Sequence, residues 1–90
     1  MRYVWDEQKN TLLKQTRNIS FEQIVLAIEE QKIVDVFDHP NQNKYKNQIF
    51  ILVEVNEYVY VVPAEIEAEN CYLKTVYPSR KHTKKYLRKD

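Results

Sequence analysis

The chain has 90 residues, 43% apolar and 30% charged, with a formal net charge of +1. That is the size and composition of one globular domain spanning residues 1–90, too ordered in character for a disordered chain. Glycine is absent where average usage would give about six, so no GxGxxG or GxxxxGK[ST] phosphate cradle and no glycine nucleophile elbow can be built. The single Cys71 excludes an internal disulfide and a Cys-rich zinc site, and no HxH or HExxH pattern occurs, so neither metal nor cofactor is expected. The longest apolar runs, at 49–53 and 59–62, are far short of a membrane span, and the N-terminal stretch has no signal-like apolar core. A cytoplasmic location is the expectation.

Without glycine, asparagine must take the left-handed turn positions. Tyr3, Val4 and Trp5 read as an opening strand. Asp6 then caps a helix that places Leu12 and Leu13 inward and stops at Asn18. Ser20 followed by Gln23 is a capping box, with Ile19 and Ile24 at the staple positions. Phe21, Ile24, Val25 and Ile28 fall on one helical face, which predicts a second helix to about Gln31. Ile33 to Phe37 reads as a strand ended by Asp38, His39 and Pro40. Residues 41–47 form a polar loop, and 48–55, apolar at alternate positions of both faces, reads as a central strand. Asn56 and Glu57 make a two-residue hairpin to a strand over 58–62. An acidic turn over 64–70, a last strand over 71–77 and a short helix from Ser79 to about Arg88 complete the order. The fold class is α+β: two N-terminal helices packed on a four- to five-stranded antiparallel sheet, with a short C-terminal helix.

Charge divides the chain. Residues 1–73 hold 7 basic and 12 acidic side chains, whereas 74–90 hold 7 basic side chains against Asp90 alone. A basic end on a near-neutral protein points to an anionic partner, RNA being the first candidate, or else to a solvated tail. Arg80, Lys81 and His82 fill the first turn of the last helix, where the helix dipole disfavours cations. A phosphate would remove that conflict, and Arg80 has the planar fork to hold two of its oxygens. Lys84 and Lys85 extend the basic surface. Tyrosine is abundant, with seven residues; Tyr58, Tyr60 and Tyr72, interleaved with Lys74, would suit base stacking, though tyrosine is also an ordinary strand former. His39 and His82 are the two histidines able to move a proton near neutral pH.

Several segments, taken together, resemble the BrnT-type toxins. Trp5-Asp6-Glu7-Gln8-Lys9-Asn10 is similar to their W-D-x-x-K-N opening, with Val4 where they more often carry Glu. Ile19-Ser20-Phe21-Glu22 resembles their V-S-F-E segment, and Val36-Phe37-Asp38-His39-Pro40 their strand ending in D/H-P. Tyr77-Pro78-Ser79-Arg80-Lys81-His82-Thr83 resembles their closing I-S-A-R-x-A-T stretch, with Pro78-Ser79 in place of Ser-Ala. The resemblance implies a RelE-like fold and the toxin half of a type II toxin–antitoxin pair. It implies a metal-independent endoribonuclease, a hydrolase in which an RNA 2′-OH attacks the neighbouring phosphate. A ribbon-helix-helix, BrnA-like antitoxin would hold it inactive. On that reading Arg80 stabilises charge with Lys74 or Lys81 assisting, and His39, Tyr60 or His82 handles the proton. Lys81, Lys84, Lys85, Tyr58 and Tyr72 would contact RNA. The alternative is a non-catalytic RNA- or protein-binding module that keeps the fold and the partner surface. Glu65, Glu67 and Glu69, with no cation between Glu54 and Glu69, are expected to lie away from any phosphate.

Overall fold

The computed structural model of the protein describes residues 1–88; Lys89 and Asp90, counted above with the basic end, lie outside the described residues. Local chemistry sets the opening. After β1 (Arg2–Val4), the Asp6 carboxylate accepts from the Gln8 N–H and starts α1 (Glu7–Arg17). Asn18 stops that helix in the left-handed region at φ 53°. Ser20 accepts from the Gln23 N–H while the Gln23 side chain accepts from the Ser20 N–H, and this reciprocal cap starts α2 (Phe21–Glu29). The helix ends two residues before the expected Gln31, because Gln31 itself turns left-handed (φ 62°) to launch β2 (Ile33–Asp38).

β3 (Gln48–Val55) and β4 (Tyr58–Glu67) are joined by Asn56 and Glu57 at φ 52° and 62°, two left-handed residues in succession as a tight hairpin requires. β5 (Asn70–Leu73), β6 (Tyr77–Pro78) and α3 (Arg80–Leu87) follow. The α+β class and the helix–sheet–helix order are as expected, but the sheet has six strands and is mixed. Its order is β1-β5-β4-β3-β2, with β6 beside β4. β2 to β5 form the antiparallel meander, whereas β1 pairs parallel with β5. The two helices carry the chain from β1 across the sheet to β2 at the far edge, which leaves β1 to close against the last strand of the meander.

Two boundaries differ from the sequence reading. β4 does not stop at Val62 but continues through Pro63 to Glu67, so the expected acidic turn shrinks to Ala68 and Glu69, with Ala68 at φ 55°. Proline is tolerated there because β5 pairs with positions 64–67 and β6 with 60–61, leaving Pro63 at the break between them. The same break divides the expected last strand into β5 and β6.

α1 and α2 cover one face of the sheet. Leu13, Phe21 and Ile24 pack there against Ile51, Val53, Val62, Ala64 and Leu73, with Val25 and Ile28 partly buried at the margin. β3 lies inside the sheet between β2 and β4, under α2, with Ile51, Leu52 and Val53 buried. On the other face Leu52, Val59 and Val61 form a smaller cluster under Tyr86 and Leu87 of α3. α3 covers only part of that face, and the rest stays open. No helix among the described residues is long and apolar enough to cross a membrane.

Candidate nucleic-acid interface

The segments that carry the N-terminal half of the resemblance turn out to be partners of each other. Trp5 stacks on Phe21 with ring centroids 5.7 Å apart. Asn10 is fully buried; its amide donates to Glu7 (3.1 Å) and Glu22 (2.7 Å), and its Oδ1 accepts from the Phe21 N–H (2.8 Å). The Asn10 amide is the largest cause that holds the Glu22 carboxyl below the ordinary carboxylate value. Trp5, Asp6 and Asn10 therefore serve to seat α1 against the start of α2.

The closing segment divides its duties. Ser79 caps α3, accepting from the His82 N–H at 3.1 Å, and its Oγ lies 2.7 Å from His82 Nδ1. Thr83 is buried; its hydroxyl donates to the Ser79 carbonyl (2.7 Å) and accepts from the Val59 N–H (2.8 Å), which ties the helix to β4. Arg80 is exposed and takes part in no ion pair among the described residues. Side chains three and four apart share a helix flank. Arg80 thus goes with Lys84, Lys81 with Lys85, and His82 with Tyr86. Arg80 and His82, two positions apart, point about 160° from one another around the helix axis.

On the His82 side, six rings run in sequence across the open face. Tyr45 lies 4.2 Å from His39, His39 is 5.4 Å from Phe50, and Phe50 is 5.9 Å from Phe37. Phe37 in turn is 6.3 Å from His82, which stacks on Tyr86 at 6.3 Å and 14°. Both histidines singled out in the sequence therefore stand on one face, separated by the Phe37–Phe50 pair. None of the six rings is fully buried, and Phe37 is 41% exposed. Cations flank both ends: Lys44 sits 5.4 Å over the Tyr45 ring and Lys85 sits 5.3 Å over Tyr86. Of the two acidic residues of β2, only Asp35 shares this face, as a carboxylate near Lys85 and His82. Asp38 pairs with Ile49, whose side chain belongs to the α1/α2 face, and Asp35 is engaged by the Tyr86 hydroxyl at 2.5 Å and by the Val36 N–H at 2.8 Å.

Strand alternation places the remaining candidates. Tyr60 packs into the core under α1 and α2, and Tyr58, two residues earlier, lies edge-on to it at 6.0 Å on the same face. Neither joins the open face, so the stacking surface expected from Tyr58, Tyr60 and Tyr72 together does not form. Tyr72 on β5 and Lys74 just beyond its end point to the open side, across β4 from the ring series. Lys74 pairs with Glu65 at 3.4 Å, which supplies the acidic strand end with the cation that the sequence between Glu54 and Glu69 lacks. In register, Phe37, Phe50, Pro63 and the start of the Lys74 segment form one row across the sheet.

Electrostatics distinguish His82. Partial burial, followed by Lys81 and Lys85, holds its imidazole below the ordinary value of 6.5, with Asp35 opposing. The ring is therefore neutral at pH 7 and able to accept a proton. The Tyr86 hydrogen bond lowers the Asp35 carboxyl, and the same bond raises the Tyr86 phenol. Burial raises the Cys71 thiol, which removes it as a nucleophile. Among the described residues no group of three or more His, Cys, Asp or Glu side chains is gathered to hold a metal ion.

No family model matches the chain. Neither a curated protein nor a solved structure matches it either.

Sequence reasoning found His39, His82, Lys81 and Lys85 but missed Phe37, Phe50, Tyr45, Tyr86 and Asp35. A signal for two of them was present: Phe37 and His39 are two apart on a strand, and Tyr86 is four after His82 on a helix. Their meeting with Phe50 depends on the β2–β3 register, which no local pattern states.

Proposed function

We propose that the protein is a metal-independent endoribonuclease, the toxin of a type II toxin–antitoxin pair. It acts in the cytoplasm and is held inactive by a ribbon-helix-helix antitoxin resembling BrnA. The observation that carries this reading is His82: a neutral imidazole at the rim of a cationic helix, its Nδ1 2.7 Å from Ser79 Oγ, beside an open aromatic face. When Nδ1–H donates to Ser79, the Nε2 lone pair is the acceptor for the proton of an RNA 2′-OH. The freed oxygen attacks the adjacent phosphorus, the P–O5′ bond breaks, and the departing oxygen takes up a proton, leaving a 2′,3′-cyclic phosphate. Lys81 and Lys85, on the flank next to His82, and Arg80, near the free N–H groups of the helix start, carry the charge that grows on the phosphorane. His39 stands beyond the two phenyl rings, where it meets a neighbouring nucleotide while water protonates the departing oxygen, and Lys74 meets the strand farther along. Tyr60, packed under α1 and α2, has no part in this scheme.

A second reading keeps the fold and the surface without catalysis. It draws on the separation of Arg80 and His82 to different flanks of α3 and on the Phe37–Phe50 pair that stands between His82 and His39. One experiment separates the two. Induction of the chain without its antitoxin arrests growth if the nuclease reading holds and leaves growth unchanged if the chain only binds. Arg80→Ala is expected to abolish the arrest while shifting stability by no more than ~0.5 kcal/mol, as for exposed positions generally. Arg80→Lys restores it in part, since a point charge lacks the two-oxygen grip. Growth arrest by Arg80→Ala at the wild-type level contradicts its assignment.

A further inference from the structure

We infer that the six-ring series on the open face is a stacking track for the unpaired bases of a single-stranded RNA, entered at Tyr45 and left at Tyr86. The inference rests on the RNA reading above and adds to it the form of RNA and the side chains that receive it. Three features carry it. The rings are continuous: each is within 6.3 Å of the next, from Tyr45 through His39, Phe50, Phe37 and His82 to Tyr86. They are reachable, with Phe37 41% exposed at the middle of the run and none of the others fully buried. They are flanked by cations at both ends, Lys44 over Tyr45 and Lys81 and Lys85 beside His82 and Tyr86, which outnumber the one carboxylate of β2 on this face, Asp35, itself hydrogen-bonded to the Tyr86 hydroxyl and the Val36 N–H.

The chemistry of the occupant follows from that arrangement. Six aromatic groups at the edge of a water-exposed sheet would be an aggregation hazard if their only role were apolar. A polar but π-faced ligand satisfies them, and every nucleobase has such a face. The neighbouring lysines place cations where the sugar–phosphate strand must run when bases lie on the rings. A duplex hides the base faces and presents phosphate alone, so it gains the lysines and loses the rings. An open sheet face of this kind takes about two or three bases, and a length of that order sets the scissile phosphate beside His82 when the strand enters from His39. Stacking is tolerant of sequence, so the track provides a grip on unpaired RNA and leaves base choice to other contacts.

The test uses the full chain and a fluorescently labelled eight-nucleotide single strand carrying 2′-O-methyl groups throughout. The methyl groups remove the attacking hydroxyl, so binding is read apart from cleavage. Anisotropy at low salt is expected to show saturable binding, with the duplex of the same sequence bound at least about 10-fold more weakly. Phe37→Leu, which keeps the apolar bulk and the fold but has no π-face, is expected to weaken the single strand by about 10-fold. Phe37→Tyr is expected to bind within about 2-fold of the unaltered chain, and Tyr58→Ala, on the opposite face, to bind as the unaltered chain does. Equal binding of duplex and single strand, unchanged binding by Phe37→Leu, or no binding of the methylated strand would each overturn the proposal. Displacement of the strand by polyglutamate, with Phe37→Leu indistinguishable from wild type, would also overturn it in favour of a charge-only surface for acidic proteins. If the methylated strand binds as described and unmodified RNA is left uncut, the nuclease reading falls and the track stands.

Discussion

On the face covered by α1 and α2, aromatic and polar side chains are matched with one another. Trp5 stacks on Phe21, the Asn10 amide meets Glu7, Glu22 and the Phe21 backbone, and Tyr60 packs against the core. On the face that α3 half covers, the aromatic side chains meet one another but stay open to solvent. Phe37 is exposed, two histidines stand at the surface, and the cations of α3 have no carboxylate in their own helix. The contrast teaches which parts of a resemblance concern folding and which concern function. In the W-D-x-x-K-N and S-F-E segments, Trp5, Asn10 and Phe21 interlock, and Asn10 and Phe21 are buried. The closing segment is mixed: Ser79 and Thr83 anchor the helix, whereas Arg80, Lys81 and His82 face outward or along the open surface.

The comparison breaks first at Asn10, where the largest loss of stability is expected. Asn10→Ala leaves the buried Phe21 N–H without an acceptor and removes two further hydrogen bonds. The expected cost is about 2–4 kcal/mol, read as a fall of roughly 10–25 °C in melting temperature for a domain of this size. The folded fraction at low temperature should still bind single-stranded RNA as the unaltered chain does. Thr83→Val comes next. It keeps the shape but strands the buried Val59 N–H, for an expected cost of about 1–3 kcal/mol in chemical denaturation. Because it loosens the tie between α3 and β4, it should also weaken RNA binding, which Asn10→Ala should not.

His82 sharpens the comparison through pH. Its folded-state value lies below 6.5, chiefly through partial burial, so between the two values the unfolded chain holds more protons than the folded one. The stability it contributes is complete above about pH 6.5 and fades as pH falls through the folded value. Exposure keeps that contribution small. The clearer readout is kinetic: cleavage should rise with pH and level off below the ordinary imidazole value, and His82→Gln should remove this limb together with about 100-fold or more of the rate. The smallest effect belongs to Ala68, which holds φ 55° without glycine's freedom. Ala68→Gly should raise stability by no more than about 1 kcal/mol in a thermal melt and leave every function untouched, because the β4–β5 turn lies on neither face.

Much of the closed side was legible in the sequence because its signals are local. Asp6, Ser20 and Gln23 announce helix starts, and Asn18 and Asn56 take left-handed positions that glycine would otherwise fill. The candidate site was legible only in part. His82 and the lysines of α3 stand in one helical segment, so their proximity follows from spacing. The ring series draws on β2, the 39–45 segment, β3 and α3, and joins only through strand register. The facing of Tyr58 and Tyr60 was misread because alternation along one strand fixes which residues share a face but not which face the helices cover. The end of β4 was out of reach for a related reason: the strand read as 58–62 runs on through Pro63, and the break between β5 and β6 that tolerates the proline is a tertiary fact.

The division between the two faces is tested most directly by mapping backbone amide chemical shifts of the isotope-labelled chain during titration with the 2′-O-methyl single strand. The expected result is a set of perturbations confined to β2, the 39–45 segment, Phe50 and Leu52 on the α3 side of β3, and α3, with α1, α2, Tyr58 and Tyr60 unmoved. Perturbations centred on α1 and α2, or on Tyr58 and Tyr60, would contradict the account.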